Sequence, residues 1–151
     1  MEKNNGVPFR LLGLKTVQYA VFDSVEVEQD KIDLETGILF GLDADKYVVG
    51  VGTRFTFHSG NQPFLLIELR CEFNIEDEAW RSFQVDSNKI AFPKVLMEHL
   101  TTITVGSCRG ALHAKTEGTI YNQYLIPTIN LTEFIKKDVE FNLDNLEKLQ
   151  D

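Results

Sequence analysis

The stretch AFPKVLMEHLTTITVGSCRGALHAKTEGTIYNQYLIPTINLTEF, residues 91–134, decides how the chain is read. Its "TTITVGS" is rich in β-branched residues and would pass for a strand. The residues before it point the other way, because Pro93 suits the first position of a helix, where its missing N–H is no loss. From Pro93 onward Leu96, Leu100, Ile103 and Ser107 fall at helical spacing. Gly106 adds a small residue where a second backbone can approach closely. Propensity is a weak prior that tertiary context overrides, so a long helix is expected here. That helix needs a surface to lie on.

The first half of the chain supplies one. Residues 17–27, 32–42, 47–57 and 65–75 alternate apolar and polar positions with a period of two, as strands with one dry face do. The connections "EQDK", "DADK" and "HSGNQP" are short and polar, lengths that join antiparallel neighbours. The expectation is an α+β domain: a four-stranded antiparallel sheet, a long helix packed on one face, and a second C-terminal helix. "IEDEAW" reads as a short helical turn and "SFQVDSNKIAF" as irregular. "LIPTINLTEFIKK" reads as an extended segment entering the second helix, with Asn130 or Thr132 as its N-cap. Residues 138–151, with Phe141, Leu143, Leu146 and Leu149 among charges, form a weak amphipathic helix or a mobile acidic tail.

Composition narrows the function. The 151 residues, 43% hydrophobic, suit a single domain spanning residues 1–151. A net charge of −8 argues against nucleic acid, whose phosphates need a basic face, and permits a basic protein partner. No uncharged run reaches the roughly 20 apolar residues of a membrane span, and membrane insertion is not expected. The opening "MEKNNGVPFRLLGLK" lacks the basic-then-apolar layout of a signal peptide, so a cytoplasmic protein is expected.

The search for chemistry returns little. Gly50 and Gly52 lie inside a strand and lack the Lys-Ser/Thr of a phosphate loop, and there is no Gly-x-Ser-x-Gly. His58, His99 and His113 stand apart without ligand spacing, and neighbouring Glu98 and His99 point different ways on a helix. Cys71 and Cys108 make no framework; Arg109 beside Cys108 would favour a thiolate, against the usual fate of a free cysteine as a buried small hydrophobe. No catalytic residue, metal or cofactor is expected. What the chain does have is 11 Phe, 4 Tyr and 1 Trp. Trp80, Phe83, Phe92, Tyr121, Tyr124 and Phe134 lie outside the alternating segments. Such rings either pack helices onto the sheet or offer contact area to extended peptides.

Taken in order, these motifs resemble the bacterial SecB family of export chaperones. Phe92-Pro93 matches the pair that opens that family's long helix, Arg109-Gly110 the pair that closes it. Residues 127–131 match its Pro-x-Asn-apolar segment before a second helix, and "FLLIELRCEFNIE" its fourth strand. The resemblance implies an ATP-independent holdase for unfolded preproteins bound for export. It implies homo-oligomers, dimers pairing into tetramers through the long helix, with Leu96, Leu100, Ile103 and Gly106 at the interface. Trp80, Phe83, Phe92, Tyr121, Tyr124 and Phe134 would line the client groove between the sheet edge, loop 77–92 and segment 118–134. Asp23, Glu26, Leu66 and Glu68 on the sheet's polar face would meet a motor partner, SecA. The chain departs from the family in a longer link, "ALHAKTEGTIYNQYLI", and an acidic tail. The longer link favours a SecB-like relative that serves a toxin–antitoxin pair or a particular client set, and both departures weigh against coupling to SecA. A weaker alternative is a small apolar-ligand-binding domain or enzyme acting through Glu98 or His99.

Overall fold

A computed structural model describes residues 6–145. Strands β1 (Phe9–Val21), β2 (Ile32–Asp43), β3 (Val48–Ser59) and β4 (Gln62–Ile75) form one antiparallel sheet in the order β1-β4-β3-β2. The α+β architecture expected from the alternation is present. β2, β3 and β4 follow one another as hairpins, but "EQDK" does not join neighbours: β1 and β2 are the two opposite edges.

The first strand also begins earlier than residues 17–27 and ends at Val21. Its register with β4 slips between Leu11 and Gly13 and again between Thr16 and Gln18. Each slip inserts a residue and restarts the period of two, which hides the strand from a search for strict alternation. Residues beyond Val21 leave the sheet after Phe22 donates its N–H to the Phe64 carbonyl at 2.9 Å.

In β3 the residues Val49, Val51, Phe55 and Phe57, and in β4 Leu65, Ile67, Cys71 and Phe73, point to one face and are buried. Helix α2 (Lys94–Thr116) covers them, in contact with β3 and β4. The strand-like "TTITV" is therefore helical. Its cost is met locally: the buried hydroxyls of Thr101, Thr104 and Thr116 donate to the carbonyls of Met97, Leu100 and Leu112 at 2.6–2.8 Å. No unpaired hydroxyl from these threonines is pressed into the core. Pro93 is the N-cap rather than the first helical residue.

Arg109-Gly110 does not close the helix, which runs on to Thr116. A mid-helix glycine costs about 1 kcal/mol, but Leu112 and Thr116 bury fully on the sheet side and carry the helix past it. Much of the supposed link is thus an extra turn and a half of helix. Gly118, with φ of 79°, then turns the chain.

Among the described residues a second C-terminal helix does not form. Asn130 does act as a cap, accepting the Thr132 N–H at 3.2 Å, but the element it starts is a single 3-10 turn, Leu131–Glu133. The tail expected to be a helix or mobile arm is in part a strand. β6 (Val139–Asn142) pairs with β5 (Lys89–Phe92), which itself lies in the stretch read as irregular. Leu146 and Leu149 lie outside the described residues. Just before β6, the Asp138 carboxylate accepts the Lys94 N–H at 2.9 Å. It caps α2 from 44 residues away, satisfying a donor that the helix cannot satisfy itself.

Candidate functional site

The structure divides the aromatic residues between opposite ends of the sheet. At one end the short helix α1 (Asp77–Phe83) places Trp80 flat against Tyr47, with ring centroids 5.0 Å apart. Phe92 meets the edges of Trp80, Phe83 and Phe141 at 5.4–5.7 Å. Trp80 is 1% exposed and Phe92 fully buried. Both were expected to line a groove; they are instead pillars that join α1 and the β5–β6 ribbon to the sheet, because a large ring with a partner on each side has no face left for a ligand. Phe83 is half-buried within the same stack.

At the other end, about 30 Å along β3 at its rise per residue, Tyr124 covers Phe64 and Phe57 at 4.9 and 5.9 Å. Tyr121 leans on Tyr124 at 6.5 Å, and the Tyr124 hydroxyl accepts from the Gln29 side chain at 3.0 Å. These tyrosines remain half-buried. Around them Ile120 is 75% exposed, Leu125 60% and Phe22 41%. Phe134, 45% exposed, joins neither group and instead borders a cavity of about 520 Å³ with Phe40, Val139 and Lys137.

Segment 124–131 leaves this tyrosine end and runs back along α2. Arg109 holds it there: its Nε donates to the Ile126 carbonyl and its Nη2 to the Pro127 carbonyl, both at 2.7 Å. Ile126 is buried beneath. A cavity of about 190 Å³ remains between segment and helix, lined by Thr102, Val105, Arg109, Thr128, Ile129 and Leu131. The Arg-Gly pair that looked like a helix stop is a clamp.

A second apolar surface escaped sequence reading because the strand carrying it was misplaced. Leu11 and Leu14 pair with Phe73 and Cys71 and so face the helix side, yet they stand 40% and 54% exposed. The helix lies over β3 and β4 and stops short of this edge. The bulge residues Leu12 and Val17 are exposed too. Beside them Val7, Phe9, Val95, Leu96 and His99 line a cavity of about 620 Å³. Of the helix residues expected at an oligomer interface, Leu96 and Leu100 are buried in the core and cannot also meet a partner. Ile103 is half-buried, and only Gly106 is open, with nothing within 4 Å of where a Cβ would stand.

On the sheet's outer face, Glu68 is buried and engaged. Arg54 donates to its Oε1 through both Nε and Nη2 at 2.8 Å. A carboxylate with its charge already met is a poor anchor for a basic partner. Leu66 is half-buried on this face, while Asp23 and Glu26 are exposed in the loop after β1.

The groups that suggested chemistry are held apart. Glu98 pairs with Lys94 at 3.5 Å, while His99 packs edge-on against Phe9 at 5.3 Å. Burial pushes the Cys108 thiol up to about 11, against smaller opposing effects of the Thr53 hydroxyl and Arg109. Burial raises Cys71 as well, opposed by Thr104 and Ser107. Arg109 spends its guanidinium on carbonyls and does not make a thiolate of its neighbour. Among the described residues no His, Cys, Asp and Glu cluster could hold a metal, and no helix is long and apolar enough to cross a membrane.

No protein-family model matches the chain, and no curated protein matches its sequence. Among solved structures it is similar to the SecB-like chaperone Rv1957 of Mycobacterium tuberculosis, solved in complex with a ChAD peptide from the Rv1956 HigA1 antitoxin. That likeness has a TM-score of 0.43 at 12% identity and covers 81% of this chain and 91% of the other.

Proposed function

We propose that this chain is a cytoplasmic, ATP-independent holdase that binds unfolded or extended polypeptides. The observation that carries the reading is the tyrosine end of the sheet, where Ile120, Leu125 and Phe22 stand in solvent around half-buried Tyr121 and Tyr124. Scattered apolar side chains on a surface are ordinary; a cluster rimmed by polar residues marks an interaction site. Aromatic rings supply contact area with few rotatable bonds to freeze. Client burial would contribute roughly 25 cal/mol per Å², offset by ordering of the client. Tyr121 and Tyr124 are the core of this surface, and Phe134, at its own cavity, lies apart from it.

The chain works as a homo-oligomer in this reading. β1 is a 13-residue edge strand with apolar residues on both faces, a form that natural proteins keep paired or covered. Antiparallel pairing of β1 with a second copy would cover Leu11 and Leu14 and bring the Gly106 face of each helix near its partner. The outer face, through Asp23, Glu26 and Leu66, remains the proposed side for a basic partner such as SecA, without Glu68.

The test is to mix the purified protein with a chemically trapped, permanently unfolded client and follow complexes by size exclusion with light scattering. Uptake of the unfolded but not the folded client, weakened by Tyr124→Ala, is the expected result. Uptake of one client among many would mark a dedicated chaperone, an antitoxin binder among the possibilities, rather than one for general export. No uptake by an intact oligomer would end the holdase reading.

A further inference from the structure

The segment clamped by Arg109 has the form of a ligand. From Leu125 to Ile129 it belongs to no helix or strand and runs between two residues of extended backbone, Tyr124 and Asn130, and among the described residues no backbone hydrogen bond ties it to any other element. Its hydrogen bonds there are the two that Arg109 donates to the carbonyls of Ile126 and Pro127. Tyr124 and Ile126 turn inward and Leu125 and Pro127 outward; the alternation then breaks at exposed Thr128, and Ile129 is the next side chain to turn in. The seat is also imperfectly filled, since a cavity of about 190 Å³ remains beneath Thr128, Ile129 and Leu131. A segment with few backbone bonds and one fully buried side chain sits at the low end of local stability.

We infer that residues 124–131 are an intrachain stand-in for a bound extended polypeptide, and that Arg109 is the recognition group for its backbone. This deepens the polypeptide-binding reading and rests on it. The occupant is an extended apolar segment whose inward side chains replace Tyr124, Ile126 and Ile129, and whose adjacent carbonyls replace those of Ile126 and Pro127. A guanidinium offers its donors in a rigid fork, and carbonyl oxygens are common to every sequence. Recognition through them is indifferent to client identity. Apolar burial then selects for exposed hydrophobic chain, which folded proteins lack. The strap's own occupancy lowers affinity by the fraction of time that the seat is filled, so weakening the strap strengthens binding in trans.

The probe is a fluorescein-labelled synthetic peptide of this chain's own sequence, residues 122–133, titrated by anisotropy against the full-length protein. Ile126→Ala loosens the strap and is expected to bind the peptide about tenfold tighter than the unaltered chain, as a tenfold gain in open seats requires. Adding Arg109→Gln to Ile126→Ala should remove that gain. A peptide with thioamides at the positions of Ile126 and Pro127, which are weaker acceptors, should bind poorly without any change in the protein, and so tests the clamp even where the arginine variant fails to fold. Equal binding by Ile126→Ala and the unaltered chain, or full binding of the thioamide peptide, overturns the inference. If the unaltered chain holds an unfolded client while Ile126→Ala gains nothing, the strap is wrong and the holdase stands. Tighter uptake of the strap peptide by Ile126→Ala, with no uptake of unfolded client, upholds the strap and removes the holdase.

Discussion

β1 and β3 are strands of nearly equal length, 13 and 12 residues, and β1 is the more apolar of the two. Their fates differ. In β3 Arg54 alone is exposed, and Val49, Val51 and Phe55 have no exposure at all. In β1 the residues from Arg10 to Gln18 are all exposed. β3 has a strand on either side and a helix above; β1 has one neighbour, and the helix reaches it only near its two ends, through His99 against Phe9 and Lys115 over Tyr19. Alternation in a sequence tells which face a residue takes. The number of neighbours decides whether that face is dry. A strand written like a core strand but left open is the kind of edge that natural proteins pair or cover.

The sharpest way to break this comparison is to truncate one residue from each strand. Phe55→Ala should cost about 3–5 kcal/mol in denaturant unfolding, the usual penalty for emptying a buried aromatic site. An equal cost for Leu14→Ala would erase the distinction. Next in size is Arg54→Met, which leaves the buried Glu68 carboxylate without its partner; a loss of about 3 kcal/mol is expected. Glu68→Gln should cost less, because Arg54 is half exposed and can turn to water. Asp138→Ala should lower stability by about 1 kcal/mol through the uncapped Lys94 N–H.

Leu14→Lys sharpens the comparison from the other side. It should move monomer stability by no more than about 0.5 kcal/mol, as surface changes do, while shifting the proposed homo-oligomer to smaller species in light scattering. A last test is of pH. The folded chain holds the Cys108 proton more tightly than the unfolded one, so that contribution is complete below the ordinary thiol value. It should fade as pH rises through about 11. Cys108→Ala should flatten that part of the stability profile.

Much of this was legible in the sequence. β2, β3 and β4 follow from strict alternation, because both faces of each strand have settled environments and alternation holds through most of their length. β1 did not, since the extra residues near Leu12 and Val17 shift the period twice. Helix α2 was readable from Leu96, Leu100 and Ile103, but its end was not: Gly110 carries a local stop signal that burial of Leu112 and Thr116 overrides. The site was harder. Trp80 and Tyr124 are both aromatic residues in polar loops, and nothing local says that one is boxed in by Tyr47 and Phe92 while the other lies across an open end. Arg109 stood out for its neighbour in sequence, Cys108, whereas its partners are 17 and 18 residues on.

The place of β1 in the sheet has a further consequence, for the order in which the chain is made. Phe9 pairs with Ile75 and Val21 with Leu65, so the first strand to emerge in synthesis finds its partner only after the whole β2–β4 meander has followed. Pairings this distant in sequence form late and leave apolar surface exposed meanwhile. A ribosome making this protein therefore carries, until β4 has emerged, an unpaired apolar strand of the kind the finished protein is proposed to hold. The nascent chain is the first candidate client for a copy already folded.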